Sequence, residues 1–242
     1  MPREEVFVTL TNEAAYVTDV SAETDKLLSD YWSFRIPGAF FAPAFRAGVW
    51  DGRIRFYKKG QLPAGLFRAT YDDILQKHPV KFIVTKDRPA IPQLLPGLPP
   101  QTDPQYAYQN ECVDAMCKAL DRGGGLVVAA TASGKTAITS HFFSRLPFPC
   151  IFIVDQLPLL DQAQKELSSW LGERVGTVGR SIFDPQRITV STIQTLKQHE
   201  NDRRFLTWYK SVKVVVVDES MNCLPIRTGR SLISSVLLPD MG

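Results

Sequence analysis

The sequence predicts an α/β protein of two domains: a small α/β domain with a hairpin, then a larger domain whose parallel sheet is covered by helices on both faces. Three observations carry this. Beyond residue 125, apolar runs rich in β-branched residues (126–131, 150–155, 188–192 and 212–218) alternate with helical segments, the pattern of parallel strands buried on both faces. Pro89, Pro92, Pro96, Pro99, Pro100 and Pro104 crowd one stretch, and no regular element survives that density, so a stiff linker is expected there. Ahead of it, shorter strand-like runs and a helical segment surround Asp51-Gly52, a strong hairpin signal. The expected division is 1–88, a linker at 89–104, and 105–242.

In the first domain, residues 5–20 read as one or two short strands, because β-branched residues and aromatics recur between polar breaks. Ser21 to Phe34 reads as a helix that Ser21 can cap, with Glu23 and Asp25 near its positive end and Leu27, Leu28, Tyr31 and Trp32 on one face. From Arg35 to Arg68 the cations Arg35, Arg46, Arg53, Arg55, Lys58, Lys59 and Arg68 stand against the single acid Asp51, with aromatics threaded among them. Alternation along the strand after Asp51-Gly52 sends Ile54 and Phe56 one way and Arg53, Arg55 and Tyr57 the other. Arg46, Trp50, Arg53, Arg55, Lys58 and Lys59 are therefore candidates for a nucleic-acid surface. A solvated strand face above an aromatic core accounts for the same residues, and composition leaves both readings open. Tyr71 to Lys77 reads as a short helix and Val80 to Thr85 as a closing strand.

The second domain centres on 126–136, LVVAATASGKT. An apolar strand, a loop of small residues and a helical segment follow one another, which is the setting of a Walker A phosphate loop. Ala129 stands where that pattern has its first glycine. In Thr131, Ala132, Ser133 and Gly134 small side chains let backbone N–H groups curl around a phosphate, and the next helix adds the positive end of its dipole. Lys135 would reach the β- and γ-phosphates, and the Thr136 hydroxyl would hold Mg²⁺. Downstream, the strand 212–217 delivers Asp218-Glu219 at its carboxyl end, a Walker B arrangement. Asp218 would hold Mg²⁺ and Glu219 would polarise the attacking water. The ligands implied are ATP and Mg²⁺, with Lys135 and Glu219 as the catalytic candidates.

Composition bounds the rest. The chain of 242 residues has 44% hydrophobic and 22% charged residues, ordinary globular values. Its formal net charge of +3 is too small to diagnose a polyanion partner, so the placement of charge matters more. Cys112, Cys117, Cys150 and Cys223 form no C-x-x-C pair, and His78, His141 and His199 are scattered, which suggests reduced thiols and no zinc site. No signal peptide and no spanning run is evident, so a cytoplasmic protein is expected.

With these motifs in place, the sequence resembles superfamily 2 helicases, and among them the UvsW type of T-even bacteriophages. Tyr108-Gln109 resembles the Q motif, TASGKT (131–136) motif I, FIVDQLPLLDQAQKEL (152–167) motif Ia, VSTIQTL (190–196) motif Ic and VVVDES (215–220) motif II, while Gly176 and Gly179 fall where motif Ib is expected. The segment FAPAFRAGVWDGRIRFY, continued by LPAGL, is the link to the UvsW type. The resemblance implies a RecA-like ATP-binding domain at 105–242, a small DNA-engaging domain ahead of it, adenine contacts from Tyr108 and Gln109, and a nucleic-acid path lined by Gln156, Thr192 and Gln194. It implies ATP-dependent helicase or translocase activity on branched or duplex DNA. Two departures stand out: Met221 occupies the place of the motif II histidine, and Gly242 comes before any motif III or second RecA-like domain. An incomplete motor that needs that second domain in cis or in trans is the expectation. The alternatives are a DNA-binding module that does not turn over ATP, and a motor subunit of a restriction or repair complex.

Overall fold

The computed structural model describes residues 3–11, 14–86, 92–121, 123–130, 132–199 and 201–218, together with the backbone of 235–238. The chain divides into two compact units, Met1–Arg88 and Pro89–Gly242.

The first unit is built on a four-stranded sheet. Strands β1 (Glu4–Leu10) and β2 (Ala14–Thr18) are antiparallel, and helix α1 (Ala22–Tyr31) follows. A two-stranded ribbon of β3 (Ser33–Arg35) and β4 (Arg53–Arg55) encloses a loop that contains the short helix α2 (Pro43–Arg46). Then come β5 (Gln61–Pro63), helix α3 (Ala64–Lys77) and β6 (Val80–Lys86). The sheet order is β5-β2-β1-β6, with β6 parallel to β1. Val6, Val8 and Leu10 bury alternate positions of β1 against Leu28 and Trp32 from the α1 region and Phe67 and Ile74 of α3, while Phe7 and Tyr16 are exposed. A sheet with one covered face alternates in this way.

Helix α1 starts where its cap predicts, with Ser21 Oγ accepting from Thr24 N–H at 3.2 Å. Glu4 ties strand to helix by accepting from the Ser21 N–H and hydroxyl and from the Thr24 hydroxyl, and the Thr24 and Ser21 bonds hold its carboxyl below the usual range. The helix ends at Tyr31, before Phe34, because the chain there pairs as β3 and Trp32 turns inward beside Tyr57 and Phe67. Helix α3 starts seven residues ahead of the expected Tyr71, at Ala64, since Ala64 and Phe67 join the core.

The hairpin expected at Asp51-Gly52 is wider than that signal implies. β4 pairs with β3 across residues 36–52, and Asp51 instead accepts from Arg53 N–H as a side-chain-closed turn. The tight two-residue turn lies at Lys59-Gly60. Lys58 and Gln61 exchange both backbone hydrogen bonds (2.9 and 3.0 Å), and Lys59 and Gly60 have φ of 52° and 71°, as a type I′ turn requires. A side chain at Gly60 would meet the Val17 carbonyl at 2.7 Å.

In the second unit, residues 92–103 form no strand or helix, yet they are fastened down. Leu95 N–H donates to the Arg145 carbonyl, Leu98 N–H to Ser144 Oγ, and Gln101 exchanges two bonds with the Asn110 side chain. The elements then run α4 (Ala107–Leu120), β7 (Gly125–Leu126), α5 (Lys135–Ser144), β8 (Cys150–Val154) and α6 (Leu157–Leu171). After them come β9 (Gly176–Gly179), β10 (Ile182–Asp184), β11 (Ile188–Thr192), α7 (Ile193–Gln198), α8 (Arg203–Tyr209), β12 (Val214–Asp218) and β13 (Ser235–Leu238). The sheet order is β10-β9-β11-β8-β12-β13-β7, parallel except for β10. Phe152 and Val154 face α4, α5 and α6, while Ile151 and Ile153 face α7 and α8, so both faces are covered. Burial pushes the thiols of Cys112, Cys117 and Cys150 upward, which keeps them protonated. Among the described residues no helix is long and apolar enough to cross a membrane.

One expected strand is corrected. Within 126–130 only Leu126 is in a strand (β7, Gly125–Leu126), and Leu126 and Val128 are 57% and 56% exposed. β7 is the last strand in the sheet order, so an apolar run that reads as a buried strand holds an edge position.

Two predictions follow from the first unit. Tyr31 and Tyr57 donate to Asp73 and Asp25. Burial first, and the neighbouring carboxylate second, push Tyr31 up to about 12 and Tyr57 higher than an ordinary tyrosine. Both hold their protons more tightly folded than unfolded, where the value is about 10. Their stabilisation is therefore complete below about pH 10 and is lost as pH rises through the folded values. Urea unfolding from pH 9 upward should show this loss, and Tyr31→Phe/Tyr57→Phe should flatten it; an unchanged slope contradicts the assignment. Gly60→Val is expected to cost about 1–3 kcal/mol, read from the urea midpoint.

Candidate nucleotide site and nucleic-acid surface

The loop before α5 is built from backbone geometry that few residues adopt. Ala132 has φ 64° and Gly134 has φ 78°, ψ 39°, and alternating left-handed residues turn successive N–H groups to one side. A Cβ on Gly134 would lie 2.4 Å from Gln109 Nε2, so a side chain here would displace that amide and add the strain of a positive φ. Lys135 and Thr136 open α5, the end at which a helix dipole is positive and favours an anion.

Helix α4 fixes the loop from behind. Tyr108 Oη donates to the Ser133 carbonyl at 2.6 Å, and Gln109 Nε2 donates to the same oxygen at 3.0 Å. Gln109 is 4% exposed. Its Oε1 and the Ser133 hydroxyl are buried without a hydrogen-bond partner among the described residues. A cradle with a rigid backbone and spare buried polar atoms fits a polyanionic ligand with polar edges, as the sequence expectation of ATP requires. Tyr108, Gln109, Ala132, Ser133, Gly134, Lys135 and Thr136 are thus brought together at one end of α5 and α4.

Asp218 closes β12, with only β13 between β12 and β7 in the sheet. Two inter-strand steps make the separation of those strands about 10 Å, and all three are parallel. Asp218 and the loop consequently leave the same edge of the sheet, where ligands of such folds bind. Thr136 and Asp218 suit a hard cation that takes few protein oxygens and relies on phosphate and water for the others. Thr131, Glu219 and Met221 lie outside the described residues.

That same edge carries two of the three expected nucleic-acid contacts. Gln156 follows β8 and Gln194 follows β11; both are exposed, and Gln194 Nε2 donates to the Asp155 carbonyl at 3.2 Å. Thr192 is a correction. It is 0% exposed, and its hydroxyl caps α7 by accepting from Thr195 N–H, so it supports the turn and offers no side chain to a strand. Arg180 is a residue the sequence reading missed. In the β9–β10 turn Arg180 and Ser181 have φ of 49° and 63°, and the guanidinium bridges Asp161 (2.5 Å) and the Leu157 carbonyl (2.8 Å) at the start of α6. A Gly-Arg-Ser step between two short apolar runs was the available signal.

In the first unit the β3–β4 ribbon pairs Arg35 with Arg53, Phe34 with Ile54 and Ser33 with Arg55. Arg46, Arg53, Lys58 and Lys59 are exposed, and Trp50 is half-buried with its Nε1–H donated to the Arg53 carbonyl. Two expectations change. Arg55 is no free cation, since it forms a forked pair with Asp51 and approaches Asp30 at 3.6 Å; its hydrogen bonds hold the Asp51 carboxyl down to about 2. Tyr57 leaves the basic face for the core, at 2% exposure.

The loop geometry gives an internal check. Gly134→Ala is expected to cost about 1–3 kcal/mol from its Cβ clash and positive φ, whereas Ala132→Gly should stabilise by about 1 kcal/mol by relieving a left-handed alanine. Urea unfolding of both variants measures the pair, and equal effects would contradict the conformation described.

Comparisons with known proteins agree with this division. Residues 104–221 match the family model of the type III restriction enzyme res subunit, and residues 14–77 match that of the DNA helicase UvsW N-terminal region. A crystal structure of the UvsW helicase from bacteriophage T4 superposes with TM-score 0.71 at 18% identity, covering 97% of this chain and 92% of that one. A second structure of T4 UvsW gives TM-score 0.70 at 17% identity, over 97% of this chain and 52% of that one, so the chain spans about half of that longer relative. At these identities the likeness is one of fold. No curated protein sequence matches the chain. Each unit thus has its own family match, and across nearly its whole length the chain is similar in fold to the UvsW helicase of bacteriophage T4.

Proposed function

We propose that the chain is the nucleotide- and DNA-binding part of an ATP-dependent DNA helicase or translocase acting on branched or duplex DNA. The observation that carries this is the left-handed loop at 132–136, strapped by Tyr108 and Gln109 and sharing a sheet edge with Asp218, Gln156 and Gln194. Lys135 would draw charge from the β- and γ-phosphates, and the α5 amide groups would hold the phosphate oxygens. Thr136 and Asp218 would hold Mg²⁺, which when bound neutralises charge on the phosphates. Glu219 would orient and deprotonate the attacking water. Gln109 would offer Oε1 to the base, since its amide nitrogen is spent on Ser133. The opposite wall of the cleft would come from a second RecA-like domain, in cis or in trans, with an arginine that raises the rate by about 10³–10⁵.

DNA is engaged twice in this reading, along the Gln156–Gln194 edge and on the cations Arg46, Arg53, Lys58 and Lys59. Met221, where the family has a histidine, favours a second reading: a DNA-binding module whose nucleotide site is uncoupled from the strand.

Hydrolysis with and without forked DNA separates the two. The helicase reading predicts turnover stimulated by the fork once a second RecA-like domain is supplied, and its loss in Lys135→Ala. Unstimulated turnover that survives Lys135→Ala sinks it. For the basic surface, Arg53→Ala or Lys58→Ala should weaken fork binding irrespective of sequence and lower the salt slope by about one per contact. Arg55→Ala should leave the slope nearly unchanged, because that charge is already paired. Anisotropy titrations across a salt series read both.

A further inference from the structure

Residues 36–52 form a loop closed at its base, where Ile36 N–H donates to the Gly52 carbonyl at 2.9 Å. The loop has its own small core. Ala39 is buried, Arg35 lies 6.0 Å from the Phe45 ring centroid, and a Cβ at Gly52 would strike Ala39 at 2.9 Å and the Phe45 ring at 3.2 Å. A 3-10 turn at Ala39–Phe41, helix α2 and bonds from Val49 and Trp50 N–H to the Ala44 carbonyl fasten the backbone. Such self-packed surface loops are frequently functional.

What this frame holds out is apolar. Phe40 and Phe41 are 58% and 66% exposed, with ring centroids 4.1 Å apart and planes tilted by 38°. Leaving two adjacent phenyl rings in water forfeits their burial energy, and a loop this well tied could have turned them inward. The backbone that carries them is fastened beforehand, so a ligand that covers them need not order the loop.

Charge selects the ligand. Between Arg35 and Lys59 the cations Arg35, Arg46, Arg53, Arg55, Lys58 and Lys59 face one acid, Asp51, and Arg55 already pairs with it. Arg46 Nε donates to the Phe40 carbonyl at 3.3 Å, which fastens a guanidinium beside the aromatic pair. Ring faces flanked by cations complement a strand whose bases are unpaired, since stacking takes the base and the cations take its phosphates. Paired DNA hides the faces of its bases; a fork or a single strand exposes them.

We propose that Phe40 and Phe41 form a stacking site for unpaired nucleobases, by which the first unit recognises the single-stranded part of a branched nucleic acid. The proposal rests on the nucleic-acid reading above and names the part of the substrate that this unit reads.

The test is anisotropy of the 242-residue chain with three labelled probes: a blunt duplex, a fork with single-stranded arms, and the same fork whose arms carry abasic sites. Phe40→Ala/Phe41→Ala should bind the fork about tenfold or more weakly, the size of a lost base–aromatic stack, with duplex affinity within twofold of the parent. The parent should bind the abasic fork as weakly as the variant binds the normal one. Phe40→Leu/Phe41→Leu keeps apolar bulk without the ring faces and should behave like the alanine variant, and matching thermal melts exclude a folding defect. Equal losses on duplex and fork, no loss on either, or full rescue by leucine overturns the stacking site while leaving nucleic-acid binding intact. Absence of binding to all three probes overturns the underlying reading as well. Binding to phosphatidylserine vesicles that the alanine variant abolishes, with fork binding unchanged, assigns the pair to a membrane surface and overturns the proposal.

Discussion

The second unit depends on one carbonyl oxygen. Ser133 O accepts from both Tyr108 and Gln109, and these two bonds convert a loop of small residues, intrinsically mobile, into a fixed concavity. Each bond is worth about 1 kcal/mol net, yet together they fix the loop that leads into α5. The Gln109 side chain fills the space that a Cβ at Gly134 would need. Helix α4 is in turn seated by Val113, Met116 and Leu120 in the core beneath β8, β11 and β12. Packing on one side of the sheet is thus transmitted to the geometry of a binding loop at its edge.

The first unit solves a different problem. It has to expose cations and rings together without collapsing, and it does so by consuming its acids. Asp51 and Asp30 hold Arg55, Asp25 holds Tyr57, and Asp73 holds Tyr31 and Lys77. The remaining cations on the β3–β4 ribbon and the Lys58–Gln61 turn face water. The ion pairs are largely solvent-exposed and contribute little stability each, whereas the Tyr31 and Tyr57 bonds are partly buried; the Arg55 pairs leave the outer surface of the ribbon positive.

Much of this was legible in the sequence where the signal is local. Ser21 announces the start of α1, the alternation of apolar strands with helices announces the parallel sheet, and Gly134-Lys135-Thr136 announces the loop. What was not legible depends on residues far apart in the chain. Asp30 and Asp25 were unreadable as partners of Arg55 and Tyr57 until α1 and the chain around β4 were folded together. Thr192 looks like a strand-edge contact in sequence, but α7 turns there and takes its hydroxyl as a cap. Asp51-Gly52 carries the composition of a tight turn, yet the chain before it is helical at Pro43–Arg46, so the tight turn falls to Lys59-Gly60 instead. The edge position of β7 depends on β13, more than a hundred residues later.

The central claim is that residues 132–136 are a phosphate-binding turn, with Ser133 and Ile138 N–H spent on the Ala130 and Gly134 carbonyls. Hydrogen–deuterium exchange in the presence and absence of millimolar Mg²⁺–ATP reads the amides of the turn directly. Slowed exchange is expected across Ala132–Thr136, absent in Lys135→Ala, with the cores of β8 and β11 unchanged. Exchange at 132–136 that ignores the nucleotide, or protection that survives Lys135→Ala, would contradict it.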